Sequence, residues 1–158
     1  MSHELEVSGS GEASFAYRKE GAAPWHRLGV ALSGYQTAPA ILEAAKADYE
    51  VTLLPVKYIT PNGILMEMED RHITARLNDD GGVVPFEVVK DRYRIVQNST
   101  VLEKALNVVG ASAGDAIMDT AGVLKDGREF FATIDLGTLV LDPMGVADRI
   151  QRFLVVHT

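Results

Sequence analysis

Three cations recur at every second position in a segment that is otherwise rich in strand-forming residues. Lys90, Arg92 and Arg94 lie within residues 86–96, among valine, tyrosine and isoleucine. Side chains two residues apart in a strand point to the same face. A continuous strand would therefore present three positive charges together. Such a row can hold a phosphate backbone while a neighbouring aromatic ring stacks on a base.

Two further cations, Arg71 and Arg76, lie on the preceding strand segment and extend the predicted surface. We interpret the five residues as a candidate nucleic-acid-binding surface. Two alternatives stay open. The cations can belong to a solvated sheet face that nearby acids balance. If the chain turns at Lys90-Asp91, the row of charges disappears.

No pattern of side chains indicates catalysis or a bound metal. The chain has no cysteine, and none of its four histidines lies three or four residues from another, which is the spacing of a helical metal pair. It contains neither a phosphate-binding glycine loop nor a dinucleotide fingerprint. Glu67, Glu69 and His72 would serve a hydrolase only if they converged in a cleft. We expect no catalytic residue, no metal and no cofactor.

A second candidate surface comes from aromatic residues near the N-terminus. Phe15, Tyr17, Trp25 and Tyr35 are separated by glycines and a proline, which is too punctuated for a long helix. We predict an irregular arm over residues 15–36. As an alternative to nucleic-acid binding, this arm would bind a partner, and the protein would be a protein-interaction or virion-associated module without a nucleic-acid role.

The order of the predicted helices and strands, which position these residues, indicates an α+β fold with a mostly antiparallel sheet. The reason is that strands cluster between two helices. Helix 38–48 follows a Thr37 cap, and helix 99–110 follows a capping box and ends at Gly110. The predicted strands cover residues 49–59, 64–77 as one bent strand or two, 84–96 with or without a break at Lys90-Asp91, 129–136 and 150–156. Pro61-Asn62-Gly63 predicts a turn, and Asp126-Gly127 predicts the turn of a hairpin over 123–131.

Length and charge set the limits of this interpretation. The 158 residues fit a flexible lead-in over 1–14 and a single α+β domain over 15–158. The net charge of −7 counts against a generic polyanion binder. No apolar run is long enough to span a membrane, and the N-terminus lacks the order of a signal peptide. We therefore expect a cytoplasmic protein without a membrane partner.

Several motifs together resemble a family of phage- and plasmid-encoded proteins known as a domain of unknown function. The resemblance is carried by residues 1–6, Ala16-Tyr17, the segment 24–29, Tyr49-Glu50-Val51, the segment 89–98, Thr120-Ala121-Gly122 and the strand residues 153–156. Members of this family are about twice as long, so the chain resembles their N-terminal half. The resemblance implies a bacterial cytoplasm and DNA of a mobile element.

The order of one helix, three strands and one helix is also similar to the core of phage single-strand annealing proteins. Those proteins bind single-stranded DNA and oligomerise. The resemblance therefore implies a non-enzymatic protein associated with nucleic acid, an accessory in recombination or replication. Its expected partners are single-stranded DNA and further copies of the same chain.

Overall fold

The structure is a computed structural model that describes residues 5–7, 11–21, 24, 28–78, 81–113, 117–142, 145 and 147–158. These residues form two helices and eight strands, which confirms the α+β class and the mostly antiparallel pairing. The elements are β1 (Phe15–Arg18), β2 (Val30–Leu32), α1 (Ala38–Ala44), β3 (Glu50–Ile59), β4 (Leu65–Leu77), β5 (Val83–Lys90), α2 (Asn98–Ala113), β6 (Ile117–Leu124), β7 (Glu129–Leu141) and β8 (Asp148–His157).

The chain divides into two compact units. Unit 1 consists of Met1–Asp48 and Asn98–Thr158, and unit 2 consists of Tyr49–Gln97. Unit 2 is thus an insertion between the two segments of unit 1. The buried Asn98 side chain donates a hydrogen bond of 3.1 Å to the Ala47 carbonyl. This bond joins the two segments of unit 1 where the insertion leaves and returns.

Unit 1 is built on a five-stranded sheet in the order β2-β1-β6-β7-β8, in which only the β1–β2 pair is parallel. Alternate residues of β7 point to the core, since Phe130 and Ile134 are fully buried. Ile41 of α1 and Leu102 of α2 are also fully buried. The core of unit 1 therefore combines apolar side chains from both helices and from the middle of the sheet.

Part of the predicted N-terminal arm is regular in structure. Residues 15–18 and 30–32 form β1 and β2, so the prediction of an irregular arm over 15–36 is wrong for these two segments. Leu5 pairs with Leu124, and Val7 pairs with Ala13. The described part of the predicted lead-in is therefore hydrogen-bonded to β6 within unit 1.

Both helices end elsewhere than predicted: α1 ends before the predicted residue and α2 ends after it. Helix α1 stops at Ala44 because Lys46 adopts a left-handed conformation with φ of 53°. The Ala47 amide then donates to the Leu42 carbonyl at 2.8 Å, and the Lys46 amide to the Glu43 carbonyl at 3.0 Å, which is a Schellman ending without glycine. Helix α2 instead continues through Gly110 to Ala113.

Gly122 lies where the sheet of unit 1 leaves no room for a side chain. A Cβ atom there would come within 2.9 Å of ring carbons of both Phe15 and Phe131. We expect Gly122→Ala to lower the free energy of unfolding by about 2 kcal/mol, because the rings must move. Urea unfolding followed by circular dichroism measures the change.

The matched control for this substitution is Gly110→Ala in helix α2. A Cβ atom at Gly110 meets nothing within 4 Å. Because alanine favours a helix over glycine, we expect this variant to gain about 1 kcal/mol. Equal effects of the two substitutions would contradict the close contact at Gly122.

Unit 2 is a three-stranded antiparallel sheet in the order β3-β4-β5. The predicted turn at residues 61–63 is confirmed, with the Thr60 amide donating to the Ile64 carbonyl at 2.9 Å and Gly63 at φ of 79°. Pairing of β3 with β4 shifts by three residues, because Val56 faces Met68 while Pro55 faces His72. This odd number reverses the alternation of side chains along β4.

Candidate interaction surface

The register of unit 2 places most of its large apolar side chains on one face of the sheet. Residues that are directly opposite in an antiparallel pair share a face, and alternate residues along a strand do so as well. Because of the three-residue shift, Met66 and Met68 share this face with Ile73 and Leu77. We call the following residues the apolar face: Leu54, Val56, Tyr58, Met66, Met68, Ile73, Leu77, Val83 and Val88.

The apolar face is open to solvent along much of its length. Exposed fractions are 60% for Val88, 45% for Tyr58, 44% for Met66 and 39% for Met68. The middle of β4 is covered on both faces, because Thr74 on the opposite face is 6% exposed and Ala75 on the apolar face is fully buried. The Thr74 hydroxyl binds the Glu87 backbone in β5. The apolar face is therefore exposed on either side of this covered centre, at Met66 and Met68 and at Leu77 and Val83.

Both edges of this sheet are protected against pairing with a further strand. The edge strand β3 contains Pro55 and the edge strand β5 contains Pro85, and proline removes a backbone donor. The Gln97 side chain also accepts from the Val51 amide at 3.1 Å and donates to the Val51 carbonyl at 2.8 Å. Recognition through the face is therefore favoured over recognition through an edge.

The five predicted nucleic-acid-binding cations are not brought together. Strand β5 ends at Lys90, where the Tyr93 amide donates to the Lys90 carbonyl at 2.9 Å. The prediction of a continuous strand over 86–96 is therefore wrong, and the alternative of a turn at Lys90-Asp91 is correct. Alternation no longer aligns Arg92 and Arg94 with Lys90.

Arg71 and Arg76 lie on opposite faces of β4. Arg71 is the cross-strand partner of Lys90 and borders the apolar face. Arg76 is the partner of Val51, and its guanidinium lies 5.0 Å from the centre of the Tyr49 ring. Of the predicted cations, the structure thus pairs only Arg71 with Lys90.

The cations at this border differ in how their charge is balanced. Arg71 binds Asp70 at 2.9 Å, and Arg94 donates to the backbone carbonyls of Asp91 and Tyr93. Among the residues that the structure describes, Lys90 and Arg92 form no ion pair. Like charges directly opposite in a sheet repel, and Asp70 offsets the charge of Arg71 in the Arg71–Lys90 pair.

Three of the four aromatic residues predicted to bind a partner are described, and they differ widely in exposure. Phe15 is 5% exposed and packs against Phe131 with ring centres 6.2 Å apart. Tyr17 is half-buried and stacks on Phe15 at 6.3 Å. Tyr35 is 62% exposed, and Trp25 lies outside the described residues.

The carboxylates considered for a hydrolase point to solvent. Glu67 and Glu69 are both exposed, and Glu67 lies 3.9 Å from Lys57. In the described part of the chain, no three histidine or acidic side chains converge as a metal site would require. Across the same residues, neither helix is long and apolar enough to cross a membrane.

An ionic cluster in unit 1 had no signal in the sequence. Arg18 Nη2 lies 3.0 Å from Asp135 Oδ2 and 3.7 Å from Asp119 Oδ1. The side chains of Arg18, Asp119 and Asp135 are 19%, 26% and 14% exposed. We call these three residues the ionic cluster; it ties β1 to β6 and β7, and Arg18 lies about a hundred residues from both carboxylates in sequence.

The two carboxyl groups of the ionic cluster have pKa values shifted in opposite directions. Burial raises the pKa of Asp119 above its usual value, against the opposing charge of Arg18. Burial also acts to raise the pKa of Asp135, but the Gly137 amide, Arg18 and Gln151 outweigh it and lower this pKa. Only Asp135 is therefore favoured as an anion by its surroundings.

Fold and surface together define an α+β protein in which an inserted sheet exposes an aliphatic face with cations at its border. Residues 85–158 match the family model described as a domain of unknown function, DUF932. The matched stretch includes the segment 89–98, whose motif carries the resemblance seen in the sequence. Comparison with curated proteins and with solved structures gives no match.

Proposed function

We propose that the protein is a non-enzymatic interaction module that docks a partner protein on the apolar face of unit 2. The observation that supports this most directly is the exposure of six large apolar side chains on one sheet face, by 39–60%. Contiguous exposed apolar surface is typical of sites that bind other molecules. The function differs from the aromatic-arm docking expected from sequence, because the surface lies in unit 2.

The apolar face can be tested with the dye 1-anilinonaphthalene-8-sulfonate, whose rings are apolar and whose sulfonate is anionic. We expect the native protein to enhance the dye's fluorescence. The double variant Met66→Asp/Val88→Asp should remove at least half of this signal, because it places two charges on the apolar face. Near-ultraviolet circular dichroism checks that the variant remains folded.

A matched control places the same charges on exposed apolar residues of unit 1. Leu139 and Leu141 of β7 are 41% and 44% exposed. Leu139→Asp/Leu141→Asp should keep most of the signal. The proposal fails if the native protein does not bind the dye, or if both double variants bind it as well as the native protein does.

A second candidate function is the binding of single-stranded nucleic acid, favoured by the cross-strand Arg71–Lys90 pair beside the unpaired Arg92. If this candidate is correct, we expect a protein of phage or plasmid origin that acts in the bacterial cytoplasm, serves recombination or replication, and associates with further copies of itself. Two observations weigh against it. The chain carries a net charge of −7, and Tyr58 is the only aromatic side chain of the apolar face.

Fluorescence anisotropy with a labelled 20-nucleotide oligo(dT) tests the second candidate. Binding should weaken steeply between about 20 mM and 200 mM salt, as counterion release requires. Lys90→Glu/Arg92→Glu should abolish it. An absence of binding at the lower salt concentration removes nucleic acid from consideration.

A further inference from the structure

We infer that two copies of the chain pair in antiparallel fashion along the outer edge of strand β8, with Ile150 of each copy at the two-fold axis. This pairing joins the unit 1 sheets of the two copies into one continuous sheet. The inference does not rest on the docking function proposed above, because it concerns unit 1 and not the apolar face of unit 2.

Strand β8 is a long edge that lacks the protection of the other sheet edges. Strand β2 has only three residues, and β3 and β5 each contain a proline. Strand β8 has ten residues and no proline. Its pairing with β7 shifts once, but the extra residue lies in β7, where Leu136 and Gly137 stand opposite Arg152. A regular, unprotected edge of this kind is a template for pairing with another chain.

The outward backbone groups of β8 are available to a further strand. The Thr158 amide donates to the Phe130 carbonyl at 3.0 Å, so the backbone of Thr158 faces β7. Because backbone groups alternate in direction along a strand, those of Arg149, Gln151 and Phe153 point away from β7. Within the part of the chain that the structure describes, β8 has no strand neighbour on this side.

The side chains of β8 are complementary to those of a second copy. Asp148, Ile150 and Arg152 share one face of the strand, because alternate side chains do so. Antiparallel pairing about Ile150 places Asp148 of each copy opposite Arg152 of the other, and opposite charges in this position stabilise a sheet. Among the described residues, Asp148 forms no ion pair, and Arg152 donates to the Leu136 carbonyl at 3.0 Å.

An exposed aliphatic row lies between the two charge pairs. Leu139 of β7 is the cross-strand partner of Ile150, and the two side chains are 41% and 43% exposed. Pairing about Ile150 brings the two isoleucines together, with one Leu139 on either side of them. The pairing therefore buries apolar surface in addition to forming backbone hydrogen bonds.

Other registers and other partners fit this edge less well. Pairing about Arg152 would place two arginines directly opposite each other, which is destabilising. Pairing about Phe153 would place Asp148 opposite Thr158 and leave the carboxylate without a cation. A strand from a different protein would need the same order of acid, aliphatic residue and base, which a second copy always supplies.

A charge exchange tests both the edge and the register. We expect the native chain to sediment as a dimer at high micromolar concentration in analytical ultracentrifugation. Asp148→Arg places two arginines opposite each other and Arg152→Asp places two aspartates, so each variant alone should associate at least tenfold more weakly. An equimolar mixture of the two variants restores both pairs of opposite charge and should dimerise as the native chain does.

The control variants Glu43→Arg and Lys19→Asp make the same changes in net charge on exposed residues of unit 1 outside β7 and β8, and both should stay dimeric. Far-ultraviolet circular dichroism checks that all variants are folded. A native chain that sediments as a monomer overturns the inference. A mixture of the two β8 variants that stays monomeric also overturns it, as does native-like dimerisation of either variant alone.

A disulfide provides a second test that does not depend on the charge variants. The backbone of Ile150 faces β7, so the two Ile150 residues would form a pair without hydrogen bonds, with Cα atoms about 4.5 Å apart. This separation suits a disulfide, and the chain contains no cysteine of its own. Ile150→Cys should therefore cross-link two copies under mild oxidation.

Phe153→Cys is the matched control for the cross-link. In the proposed register its two Cα atoms would be about 20 Å apart, so this variant should remain largely without a cross-link. Equal cross-linking of the two variants, measured by gel electrophoresis without reductant, overturns the inference.

Discussion

Replacing Phe130 by alanine is expected to lower the free energy of unfolding by about 4 kcal/mol. Phe130 lies in β7 opposite Val123 of β6, and its side chain is fully buried. The substitution removes the ring's transfer free energy and leaves a cavity among close-packed neighbours. Since small domains are stable by only 5–15 kcal/mol, this one change should move the urea midpoint far toward zero.

Phe153→Ala provides the matched control, because Phe153 lies in the neighbouring strand β8 and is 40% exposed. Its removal should cost less than half as much, since water already reaches the ring. Urea unfolding of both variants, followed by far-ultraviolet circular dichroism, measures the two changes under the same conditions. Similar losses for the two would show that β7 does not carry the core of unit 1.

Replacing Arg18 by methionine is expected to cost about 3 kcal/mol at pH 7. The substitution keeps much of the side-chain volume but leaves Asp119 and Asp135 without their cation. Removing one partner from a buried ion pair typically costs 3–5 kcal/mol. We expect the lower end because the side chains of the ionic cluster remain 14–26% exposed.

The cost of Arg18→Met should shrink as the pH falls. In the native protein the lowered pKa of Asp135 contributes stability that is present above its unfolded-state pKa and is lost as the pH falls through the folded pKa. Asp119, whose pKa is raised, acts in the opposite sense, because its ionisation in the fold is unfavourable. Without Arg18 both pKa values rise, so protonation relieves the variant. Guanidinium unfolding at pH 7 and pH 3 measures this convergence.

Lys46→Met is the control for the ionic cluster. Lys46 binds Glu12 at 2.6 Å, but the two side chains are 41% and 68% exposed. Exposed pairs contribute at most about 1 kcal/mol, so this variant should stay close to the native protein at both pH values. A cost for Arg18→Met that does not change with pH would show that lost packing, and not unpaired carboxylates, destabilises that variant.

Local signals in the sequence predicted both helices and the strands of unit 2, but they missed β1, β2 and most of β6. Pro61-Asn62-Gly63 and Asp126-Gly127 mark turns that the structure contains, and positive φ at Gly63 and Asp126 explains why these residue types occur there. The existence of both helices was also predictable from caps and apolar spacing. The end of α1 was not, because Lys46 takes the left-handed position that glycine usually occupies.

The candidate surface was only partly predictable, since it depends on pairing between strands. The sequence spacing shows that Met66 and Met68 share a face of the strand, and that Ile73 and Leu77 do so as well. Their placement on one face follows from the three-residue shift between Met68 and His72, which no local pattern encodes. The separation of Arg71 from Arg76 had a signal, because residues five apart in a regular strand point to opposite faces.

The end of β5 at Lys90 could not be decided from residue types alone. Tyr93, Ile95 and Val96 favour a strand whether or not the chain turns before them. The deciding contacts are long-range or conformational: the Asp91 amide donates to the Asp70 carbonyl at 3.3 Å, and the Tyr93 amide donates to Lys90. Pairing with β4 thus stops where the sequence still favours extension.

The hydrogen bond from Asn98 to Ala47 has a consequence for how this chain can be re-engineered. Because it pins the two junctions of unit 1 together, excision of residues 49–97 would require only a short linker between positions 48 and 98. The entropic cost of fixing the two ends of an inserted segment together grows only slowly with the length of that segment. We therefore expect that inserted sequences of very different length can replace residues 49–97 while the rest of unit 1 keeps its sequence.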